Sequence, residues 1–221
     1  MLAEDATVVD GVRPTFLQRL QLQLSKSQKK LVTAAEARAR YHQYFPEIFS
    51  DFNISFLTKS KTSFQRLQSP DYAKTGLRSH NITIGYQLKN HPLYPVVHAH
   101  ELVHVYDLEI GRLPSMAKDP ELTLDSEIRA HYKQYVVAHK IFSQEELITL
   151  RDQEKDKNIK AYIDMIIKYQ DPLQYVSILL LIAPDYKNLV REASGQTSLE
   201  GQARFLSMRV PWVLHFQSFP G

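Results

Sequence analysis

Cysteine is absent from this chain of 221 residues. That excludes disulfides, thiolate-held metals, iron–sulfur clusters and a cysteine nucleophile, and it leaves the compartment open. Glycine is scarce, at seven residues, which excludes long glycine-rich loops and disfavours a many-turned β architecture. Long apolar runs are missing too. The longest, Val176 to Ala183, is interrupted by Ser177 and falls far short of the roughly 20 residues that span a bilayer. Neither sign of charge dominates: the net charge is +3, and Lys26 to Lys30 and Lys59 to Arg66 are the densest basic stretches. Charge runs of this kind coat solvated faces, so no nucleic-acid partner is expected. Met1 to Arg13 is acidic and poor in apolar residues, unlike a secretory signal. The expectation is a soluble protein, cytoplasmic or exported with its signal absent or non-classical.

What is present describes an ordinary globular chain. Hydrophobic residues make up 43%, charged residues 23%, and there are 12 Tyr and 10 Phe, enough to supply a core. One domain over 1–221 accommodates this length. Its expected parts are a helical and strand part at about 14–90, a central helix pair at about 93–141, and a helical part at about 143–221.

Pro14 to about Tyr44 reads as helical, either as one long helix or as two that break at Ser25 to Gln28, with an end at Pro46. Asn53 to Lys59 and Asn81 to Tyr86 alternate like strands, and the polar stretch between them, Ser60 to His80, reads as loop. The two strands suggest a small antiparallel sheet. Pro92 and Pro95 suit the first turn of a helix that runs to about Ile110, with Gly111 as its stop. Asp119-Pro120 predicts an N-cap and N1 proline for a helix to Ile141. Ser143 and Glu146 form a capping box for a helix from Gln144 to about Asp156. Further helices are expected at Ile159 to Gln170, Leu173 to Ile182 and Tyr186 to Ala193. The tail from Ser198 should pack through Phe205, Trp212 and Phe216. The class is α+β, mostly helical.

Within the first central helix stands His100-Glu101-Leu102-Val103-His104. Positions four apart return to nearly the same side of a helix, about 6 Å further along its axis. Both imidazoles can then reach one zinc ion, with Glu101 on the flank as general base. The surrounding residues, Pro95 to Tyr106, are apolar on nearly every side. Buried histidines and a glutamate are costly unless something satisfies them, and a divalent cation satisfies all three. Zinc needs a third protein ligand. Ile110 stands where a metzincin would place a third histidine, so the ligand lies elsewhere. The segment Asp125 to His131 is the obvious source of Glu127, with Asp107, Glu109, Glu121 and Asp125 as competitors. His98 and His139 read as structural or surface residues.

This arrangement resembles the gluzincin group of zinc metallopeptidases. There a glutamate on a second helix, often in a Ser/Asn-Glu-x-x-Ala setting, completes the site, and Ser126-Glu127-Ile128-Arg129-Ala130 fits that setting. The resemblance covers about Asn81 to His139. It implies a zincin-like fold, antiparallel packing of the two helices, and a metal set of His100, His104 and Glu127. His131 stands where several gluzincins carry an aspartate that orients a ligand histidine. It is instead a candidate to stabilise an oxyanion, with Tyr132 and Tyr135 as rivals. The implied activity is hydrolysis of a peptide or protein substrate, with Glu101 activating a zinc-bound water. The strand before the metal helix would receive an extended substrate at its edge. A deformylase, which shares the His-Glu-x-x-His helix, needs a ligand cysteine that this chain lacks. The alternative is a zincin-derived binding or regulatory protein that keeps the metal without turnover. Substrate identity and oligomeric state have no signature in the sequence.

Overall fold

The computed structural model describes residues 31–46, 61–67, 72–113 and 119–216. Val32 onward clusters as one compact unit. The described residues form eight α-helices and a three-stranded sheet, an α+β fold dominated by helices. No described helix is long and apolar enough to cross a membrane.

Helix α1, Ala34–Tyr44, opens on a capping box between Thr33 and Glu36. The start expected at Pro14, and the break at Ser25 to Gln28, lie outside the described residues. The strand expected at Asn53 to Lys59 lies outside them as well.

The sheet comprises β1, Thr62–Gln65, β2, Ala73–Thr75, and β3, Ile82–Gly85. Its order is β1-β3-β2, with β1 parallel and β2 antiparallel to β3. Two expectations are corrected here. The sheet is mixed rather than antiparallel, and Ser60 to His80 contributes two strands rather than a plain loop. Strands of three or four residues are too short to display a period. They form because β3, with Ile82 and Ile84 fully buried, offers a ladder on both sides. A strand paired on both sides has no open edge, so Asn81 to Tyr86 is not where an extended ligand could add. Tyr86 itself belongs to a 3₁₀ turn, Tyr86–Leu88.

Helix α2, Tyr94–Glu109, begins with proline in its first turn, and Gly111 follows its end at a φ of +73°. It is buried nearly all round, through Val96, Ala99, Leu102, Val103, Val105 and Leu108. Helix α3, Pro120–Ile141, is capped by Asp119, whose side chain accepts from the Glu121 and Leu122 amides at 3.0 and 3.1 Å. Leu124, Ile128, Val137, Ala138 and Ile141 bury its inner face. His104 of α2 meets Ser126, whereas His100, one turn earlier, meets His131. That is the order of helices running in opposite directions.

Helix α4, Gln144–Gln153, carries the Ser143–Glu146 capping box. It stops before the expected Asp156, because Asp156 caps the next helix, α5, Lys157–Lys168. Helix α6, Pro172–Ile182, is followed by a 3₁₀ turn at Pro184–Tyr186, then by α7, Lys187–Ser194, and α8, Leu199–Phe216. The last helix packs through Leu206, Val210 and Val213, spaced four and three apart on one face. Trp212 falls off that face and stays 44% exposed, whereas Phe205 is half-buried, so of the expected packing residues Trp212 is the one that turns outward.

Candidate metal centre

Helices α2 and α3 bring His100, His104 and Glu127 into one cluster. The two histidine Nε2 atoms are 3.1 Å apart. Glu127 Oε2 lies 3.5 Å from His100 Nε2, and Glu127 Oε1 lies 3.5 Å from His104 Nε2. Ligands held about 2.1 Å from a tetrahedral ion stand about 3.4 Å from one another. The three side chains therefore have the spacing such an ion requires.

The histidines are prepared for this. His104 Nδ1 lies 2.9 Å from Ser126 Oγ; a proton on Nδ1 donates to that hydroxyl and leaves Nε2 as a lone pair. Burial is the main force holding both imidazoles below the ordinary histidine pKa, His100 well below it, so both are neutral near pH 7. Burial also pushes the Glu127 carboxyl up to about 7, with the Tyr186 hydroxyl opposing the rise. Glu127 Oε2 has no hydrogen-bond partner of its own. A neutral-ligand pair and a carboxylate that resists ionisation form a donor set that a divalent cation would complete.

Glu101, 5% exposed, is held by a contact absent from the local pattern. Thr75 Oγ1, on β2, lies 2.7 Å from its Oε2 and 3.2 Å from its main-chain oxygen. His131 sits beside the cluster, its ring centroid 4.5 Å from that of His100 and its Nε2 3.7 Å from Glu127 Oε2. Its Nδ1 pairs with Gln134 Oε1 at 2.8 Å, and burial lowers its pKa to about 4. With Nδ1–H donating to Gln134, Nε2 has a lone pair rather than a proton to offer.

The rival ligands are engaged elsewhere. Asp107 pairs with Arg129, Asp125 with Arg209, and Glu109 with His80, while Glu121 approaches Arg209 at 3.5 Å. Of the expected oxyanion donors, Tyr135 gives its hydroxyl to the Gln170 carbonyl at 2.7 Å. His98 stacks on Tyr94 and contacts Thr62, and His139 packs on Tyr135, in keeping with structural roles.

Four residues near the cluster were not singled out for these roles from the sequence: Thr75, Ser126, Gln134 and Tyr186. Gln134 lies on the same helix as Glu127 at i+7, so helical spacing could have found it, whereas Ser126, at i−1, turns about 100° away and reaches His104 instead. Tyr186 comes from the 3₁₀ turn before α7, with its ring edge-on to His131 at 5.1 Å. Burial raises its hydroxyl pKa well above the ordinary tyrosine value. No protein-family model, curated protein or solved structure matches this chain.

Proposed function

We propose that this protein is a zinc-dependent metallopeptidase of gluzincin type. The triangle of His100, His104 and Glu127, with edges of 3.1, 3.5 and 3.5 Å, is the observation that carries the reading. Zinc, when bound, supplies a Lewis acid that polarises a carbonyl and makes a water acidic. The remaining work falls to the chain. Glu101 accepts the proton of the attacking water and returns it to the leaving amine. Tyr186, kept protonated by burial, gives its hydroxyl to Glu127 and so steadies that ligand's carboxylate. His131 and Gln134 pack against His100 and set its orientation. The substrate lies extended against β2, which is an edge strand of the sheet among the described residues and carries Thr75 next to the base.

The test is metal content, read together with two substitutions. Purified protein should hold one zinc per chain, with anomalous density at a zinc edge against His100, His104 and Glu127. Glu101→Gln should keep the zinc and lose hydrolysis of an internally quenched peptide library, and Glu127→Ala should lose the zinc. Protein without stoichiometric zinc overturns the proposal. Zinc without turnover in the wild type turns it into a metal-holding binding protein.

A further inference from the structure

β2 places two functions on one residue. In the antiparallel ladder, Tyr72 O accepts from Gly85 N at 2.8 Å and Gly76 N donates to Asn81 O at 2.9 Å. The register pairs Lys74 with Thr83 and Thr75 with Ile82. Hydrogen-bonded and non-hydrogen-bonded pairs alternate along such a ladder, so Ala73 and Thr75 turn their peptide groups away from β3, toward the outer edge. The Thr75 side chain meanwhile reaches α2, with Oγ1 2.7 Å from Glu101 Oε2. That length suits a hydroxyl donating to a carboxylate, and the 3.2 Å approach to the Glu101 main-chain oxygen is the weaker contact.

We infer that Thr75 is a positioning residue for the base, its hydroxyl orienting the Glu101 carboxylate while its main chain meets the substrate strand. This rests on the metallopeptidase reading. Glutamate has three rotatable side-chain bonds, so a base unsupported at its carboxylate samples many orientations, whereas threonine on a strand is stiff about its first. A hydroxyl on that stiff frame fixes one carboxylate oxygen at the point where a strand-paired peptide would present its carbonyl. Peptide docking and proton transfer thereby share one register.

Thr75→Val deletes the hydroxyl at nearly constant shape and keeps strand preference, and Thr75→Ser keeps the hydroxyl. Both are compared with wild type on the best-cleaved member of an internally quenched peptide library, with zinc stoichiometry and thermal midpoint measured alongside. Thr75→Val should lower kcat about tenfold or more, as misaligned bases do, with KM within about twofold and zinc retained. Thr75→Ser should restore kcat to within about twofold. An active wild type whose Thr75→Val variant keeps its kcat overturns this inference alone. Loss of zinc or of folding in Thr75→Val also overturns it, since the hydroxyl would then support architecture rather than the base. A wild type that cuts no peptide overturns the underlying reading and this one with it.

Discussion

Asp107 and Arg129 meet in a buried pair that ties together the two helices carrying His100, His104 and Glu127. Arg129 Nη2 and Nε lie 2.8 and 3.1 Å from Asp107 Oδ2, with exposures of 2% and 0% for the two side chains. Removing one partner of such a pair strands a buried charge and costs about 3–5 kcal/mol, whereas an apolar replacement of both is often neutral. Arg129→Met should therefore destabilise the metal-free protein by about that amount in urea denaturation. Combining it with Asp107→Leu should recover most of the loss. A single variant that unfolds at the wild-type midpoint would show that the pair does not lock the helices.

Ser126 should tune any metal held by His104, acting through that ring. Its hydroxyl is 2.9 Å from Nδ1, and partners of this kind fix the ring and raise its basicity. Their removal typically costs about 10- to 100-fold in metal affinity. Ser126→Ala should weaken zinc by that factor in competition with a chelator, while leaving the urea midpoint of the metal-free protein within about 1 kcal/mol of wild type. Unchanged zinc affinity would mean that packing alone sets the His104 tautomer.

How much of this was legible depends on range along the chain. The start of α3 and the capping box of α4 were plain because Asp119-Pro120 and Ser143 with Glu146 carry their signals within four residues. Glu127 shares a helix with a Ser-Glu-x-x-Ala setting, so its place against His100 and His104 followed once two helices were assumed to pack in opposite directions. Thr75 and Tyr186 had no such marker. Thr75 lies in a three-residue strand, shorter than any period, and meets Glu101 only because β2 pairs with the buried strand β3. Tyr186 arrives from a 3₁₀ turn 59 positions after Glu127, where nothing local distinguishes it from the other tyrosines.

Proton release should identify Glu127 as the titrating ligand. Burial places its carboxyl at about 7, whereas His100 and His104 are held low and are already neutral near that pH. Zinc requires the carboxylate, so binding below pH 7 should release one proton, and affinity should rise about tenfold per pH unit up to about 7, then flatten. Calorimetry in buffers of different ionisation enthalpy counts the protons; a value near two below pH 6.5 would assign them to the histidines instead. Stability of the metal-free protein changes in the opposite direction. Folding raises Glu127 above its ordinary value of 4.5, so its contribution to the metal-free protein is fully present below about 4.5 and is lost as pH rises through 7. The histidines pull oppositely. The measurement is therefore the difference between wild type and Glu127→Gln across that window.

Arg209 should control the register of the third ligand from the C-terminal helix. Its Nε and Nη2 lie 2.7 and 2.8 Å from the two oxygens of Asp125, and its guanidinium lies over the Trp212 ring at 4.9 Å. Asp125 is 1% exposed and immediately precedes Ser126, with Glu127 one residue further on. Loss of the guanidinium leaves that carboxylate buried without its cation, and the cheapest relief is a shift of the first turns of α3. Arg209→Gln should cost about 2–4 kcal/mol, less than for a wholly buried pair because Arg209 retains some solvent contact. It should also weaken zinc, because the shift carries Ser126 and Glu127 with it. Lysine keeps the charge but cannot reproduce the two-point contact, so Arg209→Lys should fall between wild type and Arg209→Gln on both measures. Pairing each variant with Asp125→Asn separates the two effects. If zinc affinity tracks Arg209 only while Asp125 is charged, α8 acts through this contact; if it falls equally in both backgrounds, α8 supports the site through its apolar face instead.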